Sequence, residues 1–117
     1  MFPWSFETAG RFEEVVFTSN VLKGNRLNDP FERPLWIYLP PGYEDEPTKR
    51  YPTIYMIQGF TGQLDMWRNR APLRKNFPAL ADELFAKEEA PPCILVWVDC
   101  WTSLGGSQFV DSPVIPT

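Results

Sequence analysis

The stretch with the clearest capacity for chemistry is the turn Gln58-Gly59-Phe60, which follows the apolar run 53–57. β-branched and aromatic residues fill that run without polar alternation, which predicts a central strand buried on both faces. A glycine directly after such a strand permits a sharp turn at which backbone N–H groups can point at a ligand. The same pattern is also typical of a core strand followed by an ordinary loop.

Several groups that acyl-transfer chemistry needs do not occur in the sequence. The 117 residues contain no histidine, so the commonest general base and a Ser-His-Asp triad are both missing from this chain. The nucleophile motif G-x-S-x-G is absent as well. Its nearest approach is GGSQF at 105–109, where Phe109 replaces the final glycine. The sequence therefore predicts no nucleophile here, and Ser107 is not expected to act as one.

Length and composition narrow the class of protein. With 117 residues, 44% of them hydrophobic and 22% charged, the sequence predicts one small globular domain. The net charge of -4 argues against binding to nucleic acid or to an anionic membrane. No apolar run approaches the roughly 18 residues that cross a bilayer. The first residues lack the basic and apolar regions of a signal peptide, so a cytoplasmic location is expected.

Neither a metal nor another cofactor is predicted. Cys93 and Cys100 are the only cysteines, and their odd spacing of seven on an extended segment would send them to opposite faces. A disulfide or a zinc pair between them is therefore not expected.

The elements before the turn read as strands. Residues 11–19 predict a first strand at a sheet edge, and Leu35 to Leu39 predict a second, which Pro40-Pro41-Gly42 ends. Short loops make an antiparallel pair the expected arrangement.

The elements after the turn predict a parallel unit. Pro78 to Glu89 has apolar residues at helical spacing, with Asn76 as its N-cap, and Cys93 to Val98 is another apolar strand. Strand, helix and strand in this order predict a parallel βαβ unit. The expected fold class is therefore α/β.

Three stretches in the same order resemble the esterase family of α/β-hydrolases that includes S-formylglutathione hydrolases (esterase D), feruloyl esterases and mycolyl transferases. They are WIYLPPGYE at 36–44, YPTIYMIQGFTG at 51–62 and VDCWTSLGGSQFVDS at 98–112. The resemblance implies that residues 1–117 are the N-terminal portion of an α/β-hydrolase fold, a single incomplete domain. The family's nucleophile, acid and histidine come later in the chain.

The resemblance also assigns roles to residues of the turn. In this superfamily one oxyanion-hole donor is an N–H of the loop after the third strand, and by resemblance that donor is the backbone N–H of Phe60. One such donor stabilises the transition state by about 3 kcal/mol. Further residues are expected to border the substrate: Gln58, Gly59, Thr61, Trp67, Trp101 and Ser107. Many relatives have histidine where this chain has Gln58. Asp99 is expected to cap the turn that follows it.

These expectations describe part of a serine carboxylesterase. Its partners would be a small ester substrate and the remainder of the hydrolase domain, and a homo-oligomer is an open alternative. The isolated chain is expected to be inactive. It is also expected to associate, aggregate or remain partly disordered, because its apolar strands need neighbours. The alternative function is a small non-catalytic module that binds carbohydrate or protein.

Overall fold

A computed structural model of the chain describes residues 7–106 and Phe109. These residues form one mixed sheet of four strands and one α-helix, which agrees with the predicted α/β class. The elements in chain order are β1 (Arg11–Thr18), β2 (Glu32–Leu39), β3 (Thr53–Met56), a 3₁₀ helix (Leu64–Arg68), α1 (Phe77–Ala86) and β4 (Ile94–Val98). The strand order across the sheet is β1-β2-β4-β3.

The pairing of the strands is mixed. β1 lies at one edge and pairs antiparallel with β2, as the sequence predicts. β2 in turn pairs antiparallel with β4. β3 pairs parallel with β4, and α1 lies between these two strands along the chain. The carboxyl ends of β3 and β4 therefore meet at the same edge, where the turn Gln58-Gly59-Phe60 begins.

Most element boundaries differ from the prediction by one residue, and those of β2 and α1 differ by up to three residues. β2 begins at Glu32 rather than Leu35, because β1 pairs with it from Thr18 onward. Helix α1 begins one residue earlier than predicted and ends at Ala86 rather than Glu89. Glu88 adopts a φ of 58°, and the N–H of Glu89 donates to the oxygen of Leu84. This bond pattern is a Schellman motif, which ends a helix through one left-handed residue.

The N-cap of α1 is as predicted. The Asn76 side chain accepts a hydrogen bond from the Ala79 N–H at 3.0 Å, and Pro78 lies in the first turn. The first N–H groups of a helix have no acceptor inside it. The Asn76 side chain accepts from one of them, and Pro78 has no N–H that would need an acceptor.

The core lies on the face of the sheet that α1 covers. Tyr38, Leu95 and Trp97 contribute the buried strand side chains, and Ala81 of α1 and Leu64 of the 3₁₀ helix pack against them. The prediction of a buried apolar strand is correct for β4, because it has strand neighbours on both sides.

The same prediction is wrong for β3, which lies at the other edge of the described sheet. Tyr55 is 65% exposed, and Ile54 is also exposed. Within residues 7–106 only β4 pairs with β3, and α1 covers a single face of the sheet. Strands with this apolar pattern are usually buried on both faces in α/β proteins, and β3 departs from that rule within the described residues.

The buried carboxylate of Asp82 in α1 forms hydrogen bonds with the residues just before β1. Asp82 accepts hydrogen bonds from the N–H groups of Ala9 and Gly10, at 3.0 and 2.7 Å, and from the Tyr38 hydroxyl at 2.7 Å. Burial, together with the hydrogen bond and the charge of Asp82, raises the pKa of Tyr38 far above its usual range. A Cβ at Gly10 would lie 2.6 Å from the Tyr38 hydroxyl oxygen, so only glycine fits this close approach.

None of the helices within residues 7–106 is long and apolar enough to cross a membrane.

Candidate functional site

The site begins with a β-turn at the carboxyl end of β3. The Gly62 N–H donates to the Gly59 oxygen at 2.9 Å, which places Phe60 and Thr61 at the two central positions. Among residues 7–106 and Phe109, no group accepts a hydrogen bond from the Phe60 N–H. The Phe60 side chain is 54% exposed. Within the described part of the chain, the turn therefore has a backbone donor without an acceptor beside an exposed aromatic ring, and a donor of this kind can bind an oxyanion.

Gly59 is not required by the conformation of this turn. Its φ is not in the left-handed region, and a Cβ built on it would meet nothing within 4 Å. The expected reason for a glycine, freedom to make a sharp turn, therefore does not apply here. In the described part of the chain, a side chain at position 59 would therefore point into open space.

Gly106 brings the two predicted site segments together. A Cβ on Gly106 would overlap the carbonyl oxygen of Phe60, so the Phe60 peptide lies directly against the Gly106 backbone. Only a residue without a side chain permits this approach. The segment after β4 therefore packs against the carbonyl group of Phe60. The N–H of Phe60 is part of a different peptide group, the one that joins Gly59 to Phe60.

The segment that ends in Gly106 is closed by its own hydrogen bonds. The Thr102 N–H donates to the Gly105 oxygen at 2.8 Å, and the Gly105 N–H donates back to the Thr102 oxygen at 2.9 Å. The Thr102 hydroxyl adds a third bond to the Gly105 oxygen at 2.7 Å. Gly105 has a φ of 100°, which favours glycine. This closed turn fixes where Gly106 meets Phe60.

Arg33 and Asp99 anchor the same segment to β2. Arg33 Nη1 donates to Asp99 Oδ2 at 3.1 Å and to the Trp101 oxygen at 2.5 Å. Asp99 Oδ1 accepts from the Trp101 N–H at 3.3 Å, which is the capping role that the sequence predicts for Asp99. Arg33 was not predicted, because the pairing of Arg33 with Asp99 joins segments that are far apart in sequence.

Asp29 provides a second anchor that sequence reasoning missed. Its two carboxylate oxygens accept from the Ser103 N–H at 3.1 and 3.3 Å, and the side chain is buried. The only signal in the sequence is the turn chemistry around Asn25, whose side chain bonds both the N–H and the oxygen of Asp29. This local pattern positions Asp29 but does not indicate its distant partner.

Gln58 has an unusual environment for a polar side chain. It is 3% exposed, and neither Oε1 nor Nε2 has a hydrogen-bond partner among the described residues. A Cβ on Gly62 would lie 2.9 Å from both the Gln58 Cβ and the Met66 sulfur, so Gln58 packs closely beneath the turn. Leaving a buried polar group unsatisfied costs about 1–3 kcal/mol.

The remaining predicted pocket residues do not form one group. Trp67 packs against the core, with its ring centroid 5.9 Å from that of Phe77. Trp101 and Trp36 line a surface cavity of about 570 Å³, together with Arg33 and Asp99. Thr61 is exposed on the turn. Ser107 and the neighbouring Gln108 lie outside the described residues.

Both cysteines are free thiols. Burial, and then the negative charge of Asp99, raise the pKa of Cys100, which keeps this thiol protonated. Residues 7–106 and Phe109 contain no group of three or more side chains that could hold a metal ion.

A search of solved structures finds ferulic acid esterases. One ferulic acid esterase superposes with a TM-score of 0.69 at 21% identity, over 94% of this chain and 39% of its own. The CE1 ferulic acid esterase of the anaerobic fungus Anaeromyces mucronatus, without substrate, gives a TM-score of 0.53 at 22% identity, over 86% of this chain and 32% of that one. The complex of that enzyme with ferulic acid gives a TM-score of 0.56 at 20% identity, over 97% of this chain and 36% of the solved chain.

At these identities the similarity shows a shared fold. The chain spans between 32% and 39% of the length of these solved proteins. No family model and no curated protein sequence matches the chain.

Proposed function

We propose that this chain is the N-terminal part of a serine carboxylesterase with an α/β-hydrolase fold. Its role is to supply one oxyanion-hole donor and part of the substrate pocket. The observation that carries the proposal is the Phe60 N–H, which lies at the carboxyl end of a parallel strand and has no acceptor among residues 7–106 and Phe109. Ligands of open α/β sheets bind at that edge.

The geometry also fits an enzyme in which one segment supplies the oxyanion donor and other segments supply the nucleophile, the histidine and the acid. The Phe60 carbonyl lies against Gly106, so the turn is packed on one side, while its N–H has no acceptor among residues 7–106 and Phe109. A donor that is fixed before the reaction stabilises the developing negative charge without reorganisation. The nucleophile, its histidine and the acid come from the remainder of the hydrolase domain.

The similarity to ferulic acid esterases supports an aromatic acyl group as the substrate class. Methyl ferulate and an activated acetyl ester are therefore suitable assay substrates for the complete protein, meaning this chain joined to the remaining hydrolase residues. The chain alone is expected to hydrolyse neither ester, because it contains no histidine.

The test compares two variants of the complete protein at Phe60. Phe60→Pro removes the N–H, and proline is favoured at the first central position of common β-turns, so the turn itself should persist. We expect turnover to fall on the order of a hundredfold or more. Phe60→Leu keeps the N–H and should retain most activity while changing acyl preference. Parental turnover by a folded Phe60→Pro protein would refute the assignment.

A second function is a non-catalytic module that binds carbohydrate or protein. The cavity lined by Trp36 and Trp101 favours it, since aromatic faces beside charged groups suit such ligands. Saturable binding of a neutral sugar or a peptide to a protein that hydrolyses no ester, lost in Trp101→Ala, would support this alternative.

A further inference from the structure

A surface cavity of about 450 Å³ lies between the 3₁₀ helix, the start of β1 and the first turn of α1. Among residues 7–106 and Phe109, the charged side chains that line this cavity are all cations. They are Arg68, Arg70, Arg74 and Lys75. The chain as a whole is acidic, with 15 Asp and Glu residues against 11 Lys and Arg residues. The cavity therefore concentrates positive charge in a protein of negative net charge.

The position of these cations works against the stability of α1. Arg74 and Lys75 directly precede the N-cap Asn76, and the first turn of the helix contains no acidic residue. The amino end of a helix has a partial positive charge, so cations next to it are unfavourable, and the cations also repel one another. Binding of an anion explains such a cluster better than folding does. The Asn76 side chain already accepts from the Ala79 N–H, so the positive charge of the cavity comes from its side chains.

Two guanidinium groups of the cavity have N–H donors that the described residues leave without acceptors. Arg74 forms no ion pair with any of residues 7–106 or Phe109. The centre of the Arg68 guanidinium lies 4.2 Å from the ring centroid of Phe12 and 5.1 Å from that of Trp36. Arg68 pairs with Glu14 through Nη1, and within the described part of the chain its Nε and Nη2 have no acceptor. The two rings orient the guanidinium and leave these donors for a ligand.

Several cations around one cavity fit a group with more than one negative charge. A phosphate monoester carries about −1.5 to −2 charges at pH 7 and has three strong acceptor oxygens, which guanidinium groups bind in pairs. Lys75 is paired with Glu83 on the surface, and exposed pairs contribute little, so Lys75 can exchange Glu83 for a ligand. Phe12 and Pro78 add apolar surface beside the cations. The volume of the cavity suits a small molecule.

We propose that this cavity binds the phosphate group of a small molecule through Arg68, Arg74 and Lys75. The residues that form it belong to the described part of the chain, and the inference does not depend on the proposed esterase function. The phosphate has two sources. An organic phosphate would also cover the Phe12 side of the cavity, whereas free inorganic phosphate would contact the cations alone.

The test measures the binding of inorganic phosphate and of phenyl phosphate to the complete protein by isothermal titration calorimetry at fixed ionic strength. Arg74→Gln removes one charge of the cavity. Arg26→Gln removes an exposed arginine in the β1–β2 loop and is the matched control, because it changes the net charge equally. We expect Arg74→Gln to weaken binding about tenfold or more, as the loss of a hydrogen bond between charged groups does, and Arg26→Gln to stay within about twofold of the parent.

The outcomes decide both the site and the source of the phosphate. The inference is wrong if neither probe binds the parent saturably, or if the affinities of Arg74→Gln and Arg26→Gln differ by less than about threefold. If the Arg74 dependence holds, tighter binding of phenyl phosphate supports the site with an organic phosphate as ligand, and equal or weaker binding supports it with free phosphate. Arg74 is exposed, so the variant should fold, and circular dichroism checks this. The measurement needs no ester hydrolysis, so an inactive parent would refute the proposed function alone.

Discussion

Replacing Asp82 by alanine should destabilise the chain by removing the acceptor of three hydrogen bonds. The Tyr38 hydroxyl would lose its partner in the core, where Tyr38 is 1% exposed. An unsatisfied buried group of this kind costs about 1–3 kcal/mol. Ala9 is exposed and Gly10 is half-buried, so water can replace most of their bonds, and together they add about 1 kcal/mol. We therefore expect the free energy of unfolding to fall by about 2–4 kcal/mol.

The assay is urea unfolding followed by tryptophan fluorescence at several protein concentrations, so that association is separated from unfolding. Tyr38→Phe is the matched variant, since it leaves Asp82 with two backbone donors and should cost about 1–2 kcal/mol. In an Asp82→Ala background the same substitution should be neutral or stabilising, because it removes the buried hydroxyl that has lost its partner. A loss below about 0.5 kcal/mol in Asp82→Ala, which is typical of surface changes, would refute this reasoning.

Three further predictions follow from the same structure. Gly106→Ala should displace the Phe60 peptide and lower turnover of the complete protein on the order of a hundredfold; an unchanged rate would contradict the contact. Tyr55→Lys should reduce self-association of the isolated chain in sedimentation experiments, because lysine on an edge strand opposes pairing, and unchanged association would place the contact elsewhere. The pKa of Tyr38 is raised in the folded chain above its ordinary value of 10.0. The unfolded chain therefore ionises first as pH rises above that value, and the free energy of unfolding should fall. Unfolding measured from pH 9 upward, at about one-unit steps, should show this fall, and Tyr38→Phe should reduce its slope.

Local chemistry made part of this fold predictable from the sequence. Helix α1 and its N-cap Asn76 depend on residues within a few positions of one another. The antiparallel pair β1–β2 follows from apolar runs and a loop rich in turn residues. Asp99 caps the turn that follows it because carboxylates commonly bond backbone two residues ahead.

The remaining features depend on contacts between distant segments. The exposure of β3 reflects which strands lie beside it, and an apolar pattern does not contain that information. The contact of Gly106 with Phe60 and the bond of Asp29 with Ser103 join segments that the sequence alone does not bring together. The burial of Gln58 was likewise not visible, because its polar type suggests an exposed turn.

The central claim is that the Phe60 N–H faces the reacting oxygen, and a phosphonate ester tests it most directly. Such a compound should modify the serine nucleophile of the proposed enzyme, and its phosphonyl oxygen should then occupy the position of the oxyanion. A crystal structure of the adduct should place the Phe60 nitrogen about 2.7–3.1 Å from that oxygen. A Phe60 N–H bonded to another protein group, or directed away from the phosphonyl oxygen, would contradict the account.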